Sequence, residues 1–185
     1  MLKFEKTLLD GVLIIKPDTF EDFRGEYTEI WNKDEYNKLV VNKENPDKII
    51  EWVTDDISIT LNRTLKGIHG NNSCYKLISC LYGKFYIVVL NYNKDSKDFG
   101  KWLGFTLSDK NRWQLLVPPK FGNGHVALSD MSIFHYKQSE YYNPKSQFTI
   151  YYADPRFNIW WPIKNPIISR RDETSNEVNN DEYCK

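Results

Sequence analysis

The sequence lacks several features that would direct the protein to a particular compartment or partner. Its three cysteines, Cys74, Cys80 and Cys184, are odd in number and show no CxxC spacing, so neither a disulfide framework nor a structural zinc site is indicated. Lysine plus arginine equals aspartate plus glutamate, at 25 each, which leaves no net field to hold a nucleic acid or an anionic membrane. No run of about 18 apolar residues occurs, and charges interrupt the N-terminal stretch MLKFEKTLLDGVLII before it reaches signal-peptide form. We therefore expect a cytoplasmic protein without membrane or nucleic-acid partners.

Aromatic residues are abundant instead, with twelve Tyr, ten Phe and six Trp. They lie in short apolar segments separated by Gly, Pro, Asn and Asp at intervals of roughly ten residues, which is typical of an all-β sandwich or barrel. The segment DEYNKLV (34–40) has helical spacing and predicts a short flanking helix. Since 41% of the residues are apolar, the chain can bury one core, and we predict a single domain over 1–172. The segment 173–185 has almost no apolar residue and is predicted to be a disordered tail.

One histidine stands in the stretch RTLKGIHGNNSCYKL (63–77), between two segments that have the composition of β-strands. Gly67 and Gly70 flank His69 closely, so the sequence predicts a short turn there. Lys76 follows the histidine by seven residues. The local pattern alone favours a structural histidine over a catalytic one.

The other two histidines also stand singly. His125 and His135 form no HxH pair with each other or with His69, whereas a metal site requires clustered His and carboxylate ligands. We therefore expect no bound metal. His135 is adjacent to Tyr136 on a predicted strand, so the two side chains should point to opposite faces of the sheet.

Seven segments carry a resemblance to a known family: FEDFRGEYTE (20–29), LKGIHG (65–70), YKLISCLYGKFYIVVLN (75–91), DSKDFGKW (95–102), VPPKFGNGHVALSD (117–130), FHYKQSEYYNP (134–144) and ADPRFNIWWP through ISRRD (153–172). In order and spacing they resemble the 3,5-epimerases of nucleotide-linked 4-keto-6-deoxysugars, typified by the dTDP-4-dehydrorhamnose 3,5-epimerase. The resemblance implies a cupin-type antiparallel jelly roll with short flanking helices. It also implies a cofactor-independent isomerase that is usually a homodimer, in which N-terminal strands contribute to the partner's sheet.

The resemblance assigns four residues to catalysis. His69 matches the family's general base, which removes protons from C3 and C5, the carbons on either side of the C4 ketone. Asp172 matches the aspartate that holds this histidine, and Lys76 matches the lysine that stabilises the enolate oxygen. Tyr136 matches the tyrosine that returns a proton to the opposite face of the ring. The expected reaction needs no cofactor.

Five further positions are implied as contacts to the substrate. Arg24 matches a family arginine that contacts the diphosphate, Lys66 replaces an arginine of similar duty, and Glu29 lies in the same matching segment as Arg24. The stretch KFGNGHVALS departs from the commoner family pattern GFAHGF, because Asn123 stands where the family has histidine and His125 where it has phenylalanine. We predict that the contacts to substrate hydroxyls differ accordingly.

Further departures lead to a hypothesis about the sugar. Thr54 and Asp56 stand where the rhamnose-pathway enzymes tend to have Gln and Asn, and Gly70 replaces an aromatic residue. An IHG followed later by GN(x)H is more similar to the Campylobacter-type epimerases that act on GDP-linked 4-keto-heptoses for capsule synthesis. Gly70 and Gly124 are expected to make room beside the base for a longer exocyclic chain. The sequence therefore predicts a GDP-4-keto-heptose substrate, inverted at C3 and at C5.

Four alternatives stay open at this point. The protein could invert C3 alone, act as a 3,5-epimerase on dTDP-4-keto-6-deoxyglucose, or move the carbonyl from C4 to C3 as a ketoisomerase. It could also be a noncatalytic protein that binds a sugar nucleotide. The presence of His69, Asp172, Lys76 and Tyr136 together argues against this last alternative.

Overall fold

Strands dominate the part of the chain that the structure, a computed structural model, describes, namely residues 2–39 and 50–174. The strands are β1 (Lys3–Lys6), β2 (Leu13–Lys16), β3 (Thr19–Asp22), β4 (Gly25–Thr28), β5 (Thr54–Leu61), β6 (Leu65–Asn71), β7 (Lys76–Tyr82), β8 (Lys84–Asn91), β9 (Trp102–Ser108), β10 (Gln114–Val117), β11 (Phe121–Ala127), β12 (Met131–Gln138) and β13 (Gln147–Thr149). The helices are α1 (Lys33–Tyr36) and α2 (Arg170–Thr174), and single 3₁₀ turns cover Asn37–Leu39 and Pro144–Ser146. The predicted all-β fold with short flanking helices is confirmed.

Two antiparallel sheets face each other across a shared core. Six strands form the first sheet in the order β1-β2-β10-β7-β12-β5, and five form the second in the order β13-β6-β11-β8-β9. Neighbours in a sheet are often distant in sequence, as a jelly roll requires. The first sheet contributes Ile78 and Phe134 to the core, and the second contributes Phe85 and Ile87. Burying each such side chain contributes about 1.5–3 kcal/mol. The packed core therefore fixes the positions of β6, β7, β11 and β12, which are inner strands of the two sheets.

The strand that carries His69 is distorted next to this residue. Pairing of β6 with β11 sets His69 opposite Asn123 and Lys66 opposite His125, so three steps along β6 oppose two along β11. This β-bulge turns both Lys66 and His69 toward the same cleft. Gly67 lies inside the bulge with a φ of +119°, and a Cβ atom there would stand 2.6 Å from the backbone of β11. Only glycine permits this approach of the two strands.

The flanking glycines predicted that His69 lies in a turn, but the structure places it in a strand. It is the fifth residue of β6, and it pairs with Thr149 of β13 on the other side of the strand. The prediction was wrong because glycine also permits close packing within a strand. At Gly70 the ring of Phe148 occupies the space where a side chain would stand.

Other local predictions hold within the described residues. The segment 76–92 forms β7 and β8 around a turn at Gly83, whose φ is +73°. The helical spacing of DEYNKLV corresponds to α1 and the 3₁₀ turn that follows it. The predicted loop at 42–47 lies outside the described residues.

The C-terminal boundary predicted at residue 172 stays a prediction. Helix α2 continues to Thr174, and residues 175–185 lie outside the part that the structure describes. Neither helix of the described residues has the length and apolar character needed to cross a membrane.

Candidate active site

A cleft of about 470 Å³ lies where strands of both sheets meet helix α2. Seven of the nine predicted site residues line it: His69, Asp172, Lys76, Tyr136, Lys66, Asn123 and His125. A larger cavity of about 930 Å³ lies beside the N-terminal strands, and none of the nine residues lines it. Because a histidine, an aspartate, lysines and a tyrosine converge on the smaller cleft, we take that cleft, and not the larger cavity, as the candidate site.

A histidine and an aspartate form a close pair in the cleft. Nε2 of His69 lies 2.6 Å from Oδ1 of Asp172, and Oδ2 of the same carboxylate accepts a bond of 3.1 Å from the Gly67 N–H. Asp172 is 2% exposed, whereas the His69 side chain is 33% exposed. Burial raises the pKa of Asp172, but the hydrogen bond and charge of His69 and the Gly67 N–H outweigh it, so that this pKa is lowered. An ionised Asp172 accepts the proton on Nε2 of His69 and leaves Nδ1 as the ring nitrogen that can take a proton.

Lys76 projects from the start of β7 into the same cleft. Its Nζ donates to Oδ1 of Asn123 at 3.0 Å and lies 3.5 Å from the backbone oxygen of His69. Burial lowers the pKa of Lys76 to about 8. The ammonium group is therefore still mostly protonated at neutral pH, and it can stabilise a negative charge that forms beside it.

Strand β12 presents Tyr136 to the cleft and His135 to the opposite face, as the alternation predicted. His135 bonds to Asp55 at 2.6 Å on that other face. Tyr136 packs against Phe134, and within the described part of the chain its hydroxyl makes no hydrogen bond. Burial raises the pKa of Tyr136, and the nearby carboxylate of Asp56 acts in the same direction. The phenol therefore keeps a proton that it can donate.

His125 is buried in the floor of the cleft and is 3% exposed. Its Nε2 lies 3.0 Å from Oγ1 of Thr60, and its ring stacks on that of Phe134 at 4.2 Å. Burial lowers the pKa of His125 to about 3, and electrostatic interactions with Lys66 and His69 act in the same direction. The imidazole is therefore neutral at physiological pH and is suited to hydrogen bonding with a hydroxyl group.

Three cations and one carboxylate line the cleft within the described residues. Nζ of Lys66 donates to Oγ of Ser58 at 2.8 Å and to a backbone carbonyl at 2.9 Å, and burial lowers the pKa of this lysine. Sequence reasoning missed Arg171, whose Nη2 lies 3.5 Å from Oε1 of Gln147 and whose buried Nε has no partner among the described residues. Its position directly before Asp172 in ISRRD could have identified Arg171 as a candidate site residue. Because Arg171 lines the cleft, the N–H groups at the end of its guanidinium are donors that fit an anionic oxygen ligand.

Arg24 and Glu29 lie outside the cleft of their own chain. Arg24 is at the tip of the β3–β4 hairpin, where its guanidinium pairs with Asp22 at 2.6 Å and its side chain is 76% exposed. Glu29, just after β4, accepts a bond of 3.1 Å from Asn32. Neither residue lines the cleft of its own chain, and their predicted contacts to substrate stay a prediction.

The two glycines beside the base do not open the space that the sequence predicted. A Cβ atom at Gly70 would lie 2.0 Å from the ring of Phe148, and one at Gly124 would lie 3.1 Å from the side chain of Ile68. The space therefore belongs to other side chains of the protein. The argument that these glycines accommodate a longer exocyclic chain is wrong.

No three His, Cys, Asp or Glu side chains gather as possible metal ligands within residues 2–39 and 50–174. The prediction of a reaction without metal or cofactor rests on the acidity of protons next to a ketone. It stays a prediction.

Comparisons with known proteins agree with the fold and the site segments. The sequence matches the family described as dTDP-4-dehydrorhamnose 3,5-epimerase over residues 6–180. A relative of that name from Shigella flexneri is 35% identical over 170 residues, which cover 90% of this chain and 91% of the relative. A dTDP-4-dehydrorhamnose 3-epimerase from Streptomyces niveus is 25% identical and is matched over 89% of this chain and 78% of its own length.

A solved structure gives the same result in three dimensions. The dTDP-6-deoxy-D-glucose-3,5-epimerase of Legionella pneumophila, in complex with dTDP-4-keto-L-rhamnose, superposes with a TM-score of 0.86 at 31% identity. The match covers 95% of this chain and 92% of that one, and it confirms the cupin-type fold. These relatives are dTDP-sugar enzymes, so the expected likeness to GDP-heptose enzymes is not shown. A family match that spans both sheets and the cleft means that this chain belongs to the dTDP-4-dehydrorhamnose 3,5-epimerase family and is an isomerase of the epimerase type.

Proposed function

We propose that the protein epimerises a nucleotide-linked 4-keto sugar at C3 and C5 without a cofactor. The observation that carries this proposal is the convergence of the His69–Asp172 pair, Lys76 and Tyr136 on one cleft. A base, an enolate-stabilising cation and a proton donor are the three groups that this chemistry requires.

Each half-reaction moves one proton off the sugar and one proton onto it. Nδ1 of His69 removes the proton from C3 or C5, and the electron pair of the broken C–H bond passes to the C4 oxygen as an enolate. The Lys76 ammonium stabilises that oxygen while Asp172 stabilises the imidazolium. Tyr136 then donates its proton to the opposite face of the carbon, and the ketone forms again. His69 and Tyr136 return to their starting states by proton exchange with solvent.

The diphosphate of the substrate requires cations, and the charge of the cleft supports such a ligand. Lys66 and Arg171 line the cleft, and their side chains end in N–H donors suited to phosphate oxygens. Arg24 completes this part of the site from a neighbouring copy of the chain in a homodimer, and Glu29 of the same copy would contact an uncharged part of the substrate. The exposed tip of the β3–β4 hairpin supports this arrangement, because Arg24 has no contact with its own cleft.

Exposed apolar side chains support the same homodimer. Ile57, Ile59 and Leu61 follow one face of the edge strand β5 and are each more than half exposed. Phe20 and Phe23 of the β3–β4 hairpin are 68% and 97% exposed. Such apolar surfaces are typical of interfaces between subunits.

Mixing two inactive variants tests the shared site. An Arg24→Ala chain and a His69→Asn chain, unfolded together and refolded, form heterodimers in which one site combines the intact residues of both chains. If Arg24 acts on the partner's cleft, about a quarter of the sites regain activity. If Arg24 acts within its own chain, or if the protein is a monomer in light scattering, the mixture stays inactive.

The nucleotide sugar that we propose first is dTDP-4-keto-6-deoxyglucose, since the relatives compared are dTDP-sugar epimerases. A GDP-4-keto-heptose is the second candidate, supported by Asn123 and His125 at positions where the family has other residues. His125 is neutral and buried, and it would bind a sugar hydroxyl from the floor of the cleft.

Turnover of the two substrates at equal concentration tests this order. A kcat/KM that is higher on the dTDP-deoxyhexose supports the first candidate, and a higher value on the GDP-heptose supports the second. A His125→Phe variant sharpens the assay, because it restores the commoner residue and should lower turnover only of the substrate whose hydroxyl His125 binds. If the protein neither epimerises nor exchanges the C3 and C5 protons of either sugar, the proposed reaction is contradicted.

A further inference from the structure

Lys76 has an unusual set of contacts for a cation that is partly buried in a cleft. Its two neighbours are the side-chain oxygen of Asn123 at 3.0 Å and the backbone oxygen of His69 at 3.5 Å, and both are neutral. Within the described residues, no carboxylate lies at ion-pair distance from its Nζ atom. Charges that are largely withdrawn from water are normally paired, so an ammonium held only by neutral oxygens is an uncommon arrangement.

The orientation of the Asn123 amide follows from the chemistry of its neighbour. A lysine ammonium has three N–H donors and no acceptor, so the atom of Asn123 that faces it must be the carbonyl oxygen Oδ1. Asn123 is 7% exposed, and it is fixed in β11 directly opposite His69 of β6. The base and the amide that holds the ammonium are therefore positioned by the same pair of strands.

We propose that Asn123 is a positioning residue, which aims the Lys76 ammonium at the C4 oxygen and, being neutral, leaves its charge uncompensated until the enolate forms. The proposal rests on the proposed function, because it assigns Asn123 a task within that reaction. Of the three N–H groups, one is bound to Asn123 and one points toward the His69 carbonyl, which leaves one for the substrate. A carboxylate at position 123 would have almost the same shape, but it would neutralise the cation before the reaction begins.

The groups around Lys76 determine how its protonation can be followed. Cys74 lies just before β7 and acts on the charge of Lys76. The other titratable or charged side chains that share its cleft are Lys66 and His69 of β6, His125 of β11, Tyr136 of β12, Tyr142, and Arg171 and Asp172 of α2. Burial raises the pKa values of the Cys74 thiol and the Tyr136 phenol. Burial lowers the pKa of Lys76 to about 8, so the loss of its proton is expected to set the alkaline limb of the rate profile.

Two substitutions of Asn123 should move this limb in opposite directions. In Asn123→Asp the carboxylate favours the charged lysine, and the pKa that sets the alkaline limb should rise by roughly 1–3 units. In Asn123→Leu the ammonium loses its main acceptor, so the pKa that sets the alkaline limb should fall. Both variants should lower kcat more than they change KM, and Asn123→Leu should lose about 10²-fold at the optimum, because a misaligned donor acts poorly on the transition state.

A matched control separates positioning from a merely structural role. Asn91 is equally buried in β8, is bonded to Ser96 and Asn93, and lies outside the cleft. Asn91→Asp should therefore change thermal stability without moving the alkaline limb. The profiles are measured as kcat against pH with dTDP-4-keto-6-deoxyglucose, and with the GDP-4-keto-heptose if that is the sugar turned over.

The outcomes distinguish this proposal from the function on which it rests. If His69→Asn and Lys76→Met lose activity but both Asn123 variants keep the limb and the kcat of the wild type, the positioning role is overturned and the proposed function stands. Shifts of both Asn123 variants in the same direction would also overturn it. If His69→Asn keeps full activity, the proposed function itself fails.

Discussion

Two His–Asp pairs in the described part of the chain have the same Nε2–Oδ1 distance and very different surroundings. Nε2 of His69 lies 2.6 Å from Asp172, and Nε2 of His135 lies 2.6 Å from Asp55. In the first pair the carboxylate is buried and the histidine is partly exposed to a cleft. In the second the histidine is buried, the carboxylate side chain is 53% exposed, and Lys137 shares it.

The comparison teaches that a close His–Asp contact does not by itself make a base. Nδ1 of His135 is buried and has no partner among the described residues, so no substrate atom can reach it. His69, by contrast, shares its cleft with Lys76 and Tyr136. Access of the second ring nitrogen, together with groups that stabilise the product of proton transfer, separates the two pairs.

Replacing the two histidines should give the largest difference in rate between the two pairs. We expect His69→Asn to lower the rate by on the order of 10²–10⁴, because the general base is lost. His135→Asn should turn over substrate close to the wild-type rate. Both are measured by proton NMR of the sugar nucleotide, with circular dichroism to show that each variant is folded; equal losses in the two variants would remove the distinction.

Replacing the two lysines should have the next largest effect. Lys76→Met removes the donor to the enolate oxygen and should cost roughly 10²–10³ in kcat. Lys137→Met removes a partner of the half-exposed Asp55 and should change the free energy of unfolding by less than about 1 kcal/mol, with kcat unchanged. The same kinetic assay and a urea titration measure these effects, and a full-rate Lys76→Met enzyme would contradict the assignment.

Replacing the two aspartates sharpens the comparison further. Asp172→Asn should lower kcat by about 10²-fold, because the amide can donate to Nε2 of His69 and so favour the wrong tautomer. Asp55→Asn should leave kcat near that of the wild type. If Asp172→Asn were as active as Asp55→Asn, the buried carboxylate would have no role in orienting the base.

The smallest expected difference is in the acid stability of the same two variants. Burial raises the pKa of both carboxyls, but their partners outweigh this and lower both values below the usual 3.8. Each carboxylate therefore stabilises the fold above that pH, and the contribution is lost as the pH falls through the lowered value. The loss of unfolding free energy relative to the wild type, measured in urea at about pH 6 and about pH 3, should shrink more toward pH 3 for Asp172→Asn than for Asp55→Asn, since solvent screens Asp55. The reverse order would contradict the burial argument.

Much of the fold could be predicted from the sequence because strand and turn signals are local. The hairpin of β7 and β8 follows from its aromatic and β-branched residues and from Gly83. The turn predicted at His69 was wrong, since a glycine can serve either a turn or a close approach between strands. Nothing near Gly70 in the sequence indicates that Phe148 will occupy the space beside it.

The resemblance predicted most of the residues that line the cleft, but it did not indicate which chain each contact comes from or every side chain that would take part. His69, Lys76 and Asp172 come from β6, β7 and α2, and motifs in the family's order were enough to bring them together. Arg24 could not be assigned to a cleft from sequence, because its own chain does not bring it there. Arg171 was missed because the sequence ISRRD does not distinguish an arginine exposed on the surface from one that lines a site.

Exchange of solvent deuterium into the sugar tests the central claim most directly. The wild-type protein and His69→Asn are incubated in heavy water with dTDP-4-keto-6-deoxyglucose and with a GDP-4-keto-heptose, and proton NMR follows C3 and C5. We predict that the wild type introduces deuterium at both carbons of one of these sugars and that His69→Asn introduces almost none. Exchange at C3 alone would reduce the activity to a single centre, whereas wild-type exchange rates in His69→Asn, or no exchange with either sugar, would contradict the account.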